Sequence, residues 1–199
     1  FESFFKYKNS NIRIGITRAG NVVGGGDWAV DRIVPDCVNA WSKNEIVNIR
    51  NPKATRPWQH VLEPLSGYLC LAKNLSESNS YNGEAYNFGP SSDQSYSVSA
   101  LINLMANYWD NVRWNDVSED NEDVQEAGLL KLNCDKALFD LNWQPTFNFE
   151  ETVEKTVEWY KHYYENINEK EIYSMYEFEK SQIAEYVKLA KSKGIEWAQ

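Results

Sequence analysis

A β-branched run that leads into three consecutive glycines is the feature that most constrains the fold of this chain. Residues 12–17 predict a buried strand, and the loop that follows it, residues 19–31, contains glycine at positions 24–26. Glycine permits sharp turns and a close approach of the backbone to a ligand. Because open α/β folds bind ligands at the carboxyl ends of their strands, this loop predicts a ligand-binding edge.

Hydrophobic periodicity along the rest of the chain predicts alternating helices and strands, and therefore an α/β fold. A helix tail is expected at residues 1–8, and helices at residues 32–43, 61–75, 97–108, 135–141, 149–164 and 176–193. Short strands are expected at residues 46–49, 85–88, 112–117 and 129–133, with loops at residues 51–56 and 118–126. Ser97 is a candidate helix cap.

Charge and cysteine content narrow the ligand class and the compartment. The net charge of −9 argues against a nucleic-acid partner, which needs clustered lysines and arginines, but allows a small anion held by local arginines. Cys37, Cys70 and Cys134 are far apart, so neither a disulfide framework nor a metal site is expected, and reduced thiols in a cytoplasmic protein fit best. No apolar run approaches the roughly 18 residues of a membrane span, so no membrane partner is expected.

Three polar side chains at element boundaries are candidates for anion binding. Arg56 stands beside Trp58 and His60, and its planar guanidinium suits a diphosphate, although an ion pair with Glu63 is the alternative. Arg32 enters a predicted helix, where it either contacts an anion or is a solvated surface arginine. The Asn21 amide either bonds a sugar hydroxyl or phosphate oxygen, or caps the glycine turn.

Three sequence blocks resemble motifs of the extended short-chain dehydrogenase/reductase (SDR) family, in the branch that modifies sugar nucleotides. They are Arg18-x-x-Asn21-Val22-x-Gly24, Arg56-x-Trp58-x-His60-Val61 followed by Glu63, and Tyr86-Asn87-Phe88-Gly89. Leu141-Asn142-Trp143-Gln144-Pro145 is similar to a later motif of the family. Within the family, the uninterrupted run of residues 56–68 resembles the CDP-glucose 4,6-dehydratases.

This resemblance implies the C-terminal, substrate-binding portion of an extended SDR fold, with the N-terminal Rossmann half missing. Residues 1–165 are then a partial Rossmann strand plus the nucleotide-sugar-binding domain, and residues 166–199 a helical extension. That extension either packs on its own domain or pairs with another chain, so a homo-oligomer is possible. The family's NAD fingerprint and catalytic Tyr-x-x-x-Lys are predicted upstream of Phe1, since Asn11 stands four residues after Tyr7. This chain alone is therefore expected to hold no NAD and to be inactive.

The resemblance also implies roles for individual residues. Ala19 would meet the nicotinamide of NAD, and Arg50 could read the acceptor edge of cytosine. Substrate contacts are expected at Asn21, Arg32, Arg50, Arg56, Asn87 and Lys131, with no catalytic or metal-binding residue in this chain. Asn87 could instead only cap a turn.

The complete enzyme that the resemblance implies oxidises C4 of CDP-glucose, eliminates water across C5–C6 and returns the hydride to C6 through NAD, giving CDP-4-keto-6-deoxyglucose. The alternatives are another nucleotide-sugar epimerase or dehydratase, or a non-catalytic binding or interaction module.

Overall fold

The computed structural model describes residues 12–120, 131–166 and 172–199, and the predicted helix tail at residues 1–8 lies outside them. Helices α1 to α6 are Ile33–Ser42, Leu62–Glu77, Val98–Met105, Asp135–Leu141, Phe149–Asn166 and Ile172–Ser192. Strands β1 to β8 are Ile16–Ala19, Val22–Val23, Val47–Ile49, Thr55–Arg56, Gln59–His60, Ala85–Phe88, Tyr96–Ser97 and Trp114–Asp116.

The strands form pairs between segments that are distant in the sequence. β1 pairs with β6, β2 with β5 and β3 with β8, all in parallel, whereas β4 and β7 are antiparallel. Ala19 and Phe88 are partners at the carboxyl ends of β1 and β6. The buried Gln59 amide donates to the carbonyl oxygens of Gly20 and Phe88, each at 2.9 Å, and so joins the ends of three strands.

The first strand begins later than the sequence predicts, at Ile16 rather than residue 12. The preceding residues bond outside the ladder: the Arg13 guanidinium donates to the carbonyl oxygens of Leu75 and Ser76, and the Ile14 N–H donates to the Asn82 side chain at 2.8 Å. The start of the run is therefore tied to the end of α2 and to the turn that precedes β6, rather than to β6 itself.

The strand predicted at residues 129–133 is wrong for residues 131–133, which lie outside any helix or strand, while residues 129–130 lie outside the described residues. The Asn133 carbonyl accepts from the Asn87 side chain at 2.9 Å, and the Asn133 side chain accepts from the Asp135 N–H at 3.0 Å. This segment is therefore held by its bonds to β6 and to the start of α4. The predicted loops at residues 19–31 and 51–56 contain the two-residue strands β2 and β4.

The two largest buried clusters among the described residues hold most of these elements together. The larger one joins α1, α3 and α5, where apolar residues recur at helical spacing and face one another. Its fully buried members include Val38, Ile102, Met105, Val157 and Tyr160. The smaller cluster lies against β6 and centres on Phe88 and Trp143, whose rings meet edge to face at 4.9 Å.

Helix α6 is joined to α2 through a buried polar network. The Tyr186 hydroxyl donates to the Glu63 carboxylate at 2.9 Å, and this carboxylate also accepts from the N–H groups of Thr146 and Phe147. Burial raises the pKa of Glu63 to about 7, against the lowering effect of these hydrogen bonds. Among the described residues, no helix combines the length and apolar character needed to cross a membrane.

Candidate functional site

A cavity of about 720 Å³ lies between the loop after β1, the start of α1 and the ends of β3 and β4. Four of the predicted substrate residues line it: Asn21, Arg32, Arg50 and Arg56. They come from four separate segments, each at or next to the end of a strand or helix. Three guanidinium groups line the cavity together with the carboxylates of Asp27, Asp31 and Asp36, so the formal charges of the lining sum to zero. Each guanidinium carries several N–H donors, so an anionic ligand can still bond an arginine that faces a carboxylate.

The other three predicted contacts do not line this cavity. Ala19 pairs with Phe88 at the end of β1. The Asn87 amide donates to the Asn133 carbonyl at 2.9 Å, which joins β6 to the segment before α4, and its Oδ1 is buried without a hydrogen-bond partner among the described residues. Lys131 is exposed, and its ammonium lies 3.4 Å from the Ser92 carbonyl oxygen. Within the described part of the chain, the structure thus separates these residues from the arginine cluster.

Two of the cavity arginines lie close to carboxylates of the glycine loop. Arg32 Nε is 3.8 Å from Asp27 Oδ2, and Arg50 Nη2 is 3.9 Å from Asp31 Oδ1. Both arginine side chains are more than 60% exposed, so each pair contributes little to stability. A guanidinium carries several N–H donors, so a phosphate could form charge-assisted bonds with the same arginine while the carboxylate stays beside it.

Arg56 is positioned differently, because it belongs to a strand. It lies in β4 opposite Tyr96 of β7, and its Nη1 donates to the Thr55 carbonyl at 2.9 Å. The alternative predicted from the sequence, an ion pair with Glu63, is not favoured, because the buried Glu63 carboxylate is bonded to Thr146, Phe147 and Tyr186. The half-buried Arg56 side chain instead contributes to the cavity wall.

Asn21 combines the two roles that the sequence left open. Its φ of 47° is in the left-handed region, which asparagine tolerates, so it makes the turn into the glycine loop. Its side-chain Oδ1 is buried and has no hydrogen-bond partner among the described residues. A buried acceptor without a hydrogen-bond partner raises the free energy of the chain. A hydroxyl or amide of a ligand that donates a hydrogen bond to Asn21 Oδ1 would therefore bind favourably.

His60 fits the structural role that the sequence predicts for it. Its ring is 3% exposed, and Nδ1 accepts from the Leu62 N–H at 3.3 Å. Burial lowers the pKa of His60 to about 4, with a smaller contribution from Lys155. It is therefore neutral near pH 7. Among the described residues, no group of histidines, cysteines and carboxylates is arranged to hold a metal ion.

The support of the glycine loop by α5 is a feature that sequence reasoning missed. A Cβ built on Gly25 would lie 1.9 Å from Cγ of Trp159, so the loop backbone rests directly on the indole ring. The next residue of the helix, Tyr160, donates its hydroxyl to the Asp27 carbonyl at 2.6 Å. The aromatic periodicity of α5 predicted only a buried helix face, and nothing in the pattern identified the loop as its partner.

A tyrosine and a lysine four residues apart also went unrecognised, at Tyr176 and Lys180 of α6. This spacing matches the family's catalytic pattern, but its position does not, because the pair follows the Tyr86-Asn87-Phe88-Gly89 block instead of preceding the first strand. Tyr176 is 60% exposed, and Lys180 Nζ is 3.6 Å from Glu177. Neither side chain lines the cavity, so we assign the pair no catalytic role.

Ala19, the residue predicted to meet the nicotinamide, lies at the end of β1. Gly20, next to it, faces open space, with no described atom within 4 Å of a Cβ built there. Three other glycines approach the chain's own side chains closely: Gly15 lies against Leu71, Gly25 against Trp159 and Gly67 against Phe88. These three glycines therefore serve packing.

Comparison with known proteins gives a sequence relative and structural relatives of one kind. No protein-family model matches the sequence. The chain is 40% identical over 163 residues to CDP-glucose 4,6-dehydratase of Salmonella typhimurium strain LT2, an alignment that covers 80% of this chain and 45% of the relative. The chain thus spans about half the length of the curated relative it matches.

Solved structures with the same fold include two nucleotide-sugar enzymes. UDP-glucuronic acid 4-epimerase from Bacillus cereus, in complex with UDP-glucuronic acid and NAD, superimposes with a TM-score of 0.63 at 18% identity, over 79% of this chain and 48% of the epimerase. dTDP-glucose 4,6-dehydratase from Bacillus anthracis strain Ames, in complex with NAD, gives 0.57 at 16% identity, over 80% and 48%.

These likenesses confirm the predicted fold class, an α/β unit equivalent to part of an extended SDR. They agree with the motifs at Arg18, Arg56 and Tyr86, and the sequence relative is a CDP-glucose 4,6-dehydratase, as the run of residues 56–68 predicts. The chain is thus similar in sequence to a CDP-glucose 4,6-dehydratase, and its fold is that of part of the nucleotide-sugar epimerases and dehydratases.

Proposed function

We propose that this chain is the nucleotide-sugar-binding part of a cytoplasmic CDP-glucose 4,6-dehydratase. The complete enzyme would convert CDP-glucose to CDP-4-keto-6-deoxyglucose with loss of water. The observation that carries this proposal is the convergence of Arg32, Arg50 and Arg56 with Asn21 on one cavity of about 720 Å³. Such a volume is within the range of about 300–1,000 Å³ for small-molecule sites.

Two of the three arginines, Arg56 and Arg32, suit the diphosphate of the ligand. Two phosphate groups carry the negative charge of a nucleotide sugar, and a guanidinium binds such oxygens through two parallel hydrogen bonds. The main chain of Arg56 is held by the β4–β7 pair and its Nη1 by the Thr55 carbonyl at 2.9 Å, so the side chain would lose little conformational freedom on binding. We therefore assign Arg56 as the principal diphosphate contact, with Arg32 as the second.

Arg50 and Asn21 would recognise the neutral parts of the ligand. Arg50 follows the last residue of β3 and lines the cavity, where its donors can meet the carbonyl oxygen and ring nitrogen of cytosine. The buried Asn21 Oδ1 would accept from a sugar hydroxyl. Asn87, Lys131 and Ala19 lie outside this cavity, so we expect them to contact substrate or cofactor only in the complete enzyme.

NAD belongs to the complete enzyme in this proposal, because related structures contain it. The bound dinucleotide would accept and return the hydride of the sugar. The sequence of this chain contains no Gly-x-x-Gly-x-x-Gly fingerprint of the kind that binds a dinucleotide. We therefore expect the 199-residue chain to bind the nucleotide sugar and not to turn it over.

Calorimetric titration of this chain with CDP, UDP and dTDP tests the proposal. CDP should bind best, and Arg56→Ala should weaken CDP binding by about 10-fold or more, because a hydrogen bond to a charged group contributes about 1.5–3 kcal/mol. Arg113→Ala is the matched control: Arg113 is an exposed arginine, outside the cavity, that bonds the Asn44 carbonyl. It removes the same charge and should leave the CDP affinity unchanged.

Other outcomes decide between the alternatives. Tighter binding of UDP or dTDP than of CDP would indicate another nucleotide-sugar epimerase or dehydratase. Equal losses in Arg56→Ala and Arg113→Ala would show that only net charge matters, and would remove the assignment of Arg56. Absence of nucleotide binding would refute the proposal for this chain and leave an interaction module. Measurable turnover of CDP-glucose would contradict the expected inactivity.

A further inference from the structure

The glycine loop is fixed by a helix that does not line the cavity. Tyr160 of α5 is fully buried, and its hydroxyl donates to the main-chain carbonyl of Asp27 at 2.6 Å. The neighbouring Trp159 lies against the backbone of Gly25. Asp27 lines the cavity, whereas Tyr160 and Trp159 do not. The conformation of the loop at Asp27 is thus set from behind the cavity wall.

The side chain of Asp27 continues this connection to Arg32. Its Oδ1 accepts from the Ala29 N–H at 3.0 Å, which fixes the rotamer of the carboxylate. Its Oδ2 lies 3.8 Å from Arg32 Nε. One tyrosine hydroxyl, one aspartate and one arginine therefore form a continuous series from the core to the cavity.

Arg32 depends on this series more than the other strong candidate, Arg56, does. Arg56 is placed by the β4–β7 ladder. Arg32 precedes the first residue of α1, and its side chain is 62% exposed, so packing against other side chains contributes little to its position. The nearest charged group that can orient its guanidinium is the Asp27 carboxylate, whose main chain Tyr160 holds.

We propose that Tyr160 is a positioning residue for diphosphate binding, which acts by fixing Asp27 so that Arg32 faces the cavity. This inference rests on the function proposed above. Tyr160 itself does not touch the ligand. The Tyr160→Phe substitution keeps the ring, which packs against Trp28 at 5.3 Å, and removes only the hydroxyl that holds the loop.

A double-mutant cycle on CDP affinity tests the inference. Tyr160→Phe alone should weaken CDP binding by about 2- to 12-fold, the equivalent of one ordinary hydrogen bond. Arg32→Ala should weaken it by at least that factor. In the Arg32→Ala background, Tyr160→Phe should cause no further loss, because the group that it positions is gone.

Tyr186→Phe is the matched control. It removes a buried tyrosine hydroxyl of similar geometry, 2.9 Å from Glu63, in a network outside the cavity. It should lower the melting temperature as Tyr160→Phe does, yet leave CDP affinity at the wild-type value. A purely structural role for Tyr160 would make the two phenylalanine variants indistinguishable in binding.

The outcomes separate the inference from the function on which it rests. If the wild-type chain binds CDP but the losses of affinity in Tyr160→Phe and Arg32→Ala add up in the double variant, the positioning role of Tyr160 is overturned and the proposed function remains. The same conclusion follows if the wild-type chain and Tyr160→Phe bind CDP with equal affinity. A wild-type chain that binds neither CDP nor inorganic pyrophosphate would remove the proposed function, and the positioning role with it.

Discussion

Replacing Gly25 by alanine tests whether the glycine loop rests on Trp159. The added Cβ would lie 1.9 Å from Cγ and 2.1 Å from Cδ2 of the indole. A normal carbon–carbon contact of about 3.5–4.0 Å requires that the loop or the ring move by roughly 1.5–2 Å. The ring has little room, since Trp159 is 8% exposed and its Nε1 donates to Glu179 at 3.0 Å.

We therefore expect Gly25→Ala to cost about 3 kcal/mol, the upper part of the range for overpacked sites. In a domain of this size, that corresponds to a melting temperature lower by about 6–12 °C, measured by circular dichroism. Gly20→Ala is the matched control, because no described atom lies within 4 Å of its added Cβ. It should change stability by less than about 0.5 kcal/mol. Equal melting temperatures for the two variants would refute the contact.

Two further predictions concern stability. Because burial raises the pKa of Glu63 to about 7 from an ordinary 4.5, the folded chain holds this proton more tightly than the unfolded chain, and the free energy of unfolding should fall as pH rises from about 4.5 to 7. Burial lowers the pKa of His60 to about 4 from an ordinary 6.5, so His60 makes the free energy of unfolding rise with pH between about 4 and 7 and partly offsets this fall. Between pH 6.5 and 8, urea unfolding should therefore show a free energy of unfolding that falls by about 1 kcal/mol more in the wild-type chain than in Glu63→Gln. An identical pH dependence in the variant would exclude Glu63 as its origin. Ser97 caps α3 by accepting from the Ala100 N–H at 3.0 Å, so Ser97→Ala should cost about 1 kcal/mol in the same assay. The exposed Ser91→Ala serves as its control, and equal stabilities would show that the cap contributes nothing.

The helices were predictable because each buries a periodic apolar face. Helix α1 matches residues 32–43 within one residue at each end, and α4 matches residues 135–141. The absence of a strand at residues 131–133 was not predictable in this way. A short apolar run can be a strand or a connecting segment, and tertiary bonds at Asn133 decided the outcome for residues 131–133.

Part of the candidate site follows from topology, and part does not. Asn21 and Arg50 lie just after strands β1 and β3, and Arg32 precedes α1, and the ends of such elements are where open α/β folds bind ligands. Lys131 lies in an irregular segment, whose course depends on side-chain bonds rather than on periodicity. The contact of Gly25 with Trp159 joins residues that are far apart in the chain, so a single sequence contains no local sign of it.

The pairing of distant strands has a consequence for the way this chain folds. Ile16 pairs with Ala85, and Val47 with Trp114, so each ladder forms only after a long loop has closed. Loop closure costs entropy before the contacts repay it, and folding slows as contacts become less local. The helices can form early, whereas the strand ends that surround the cavity meet late. We therefore expect the cavity to be assembled in the slow, final phase of folding.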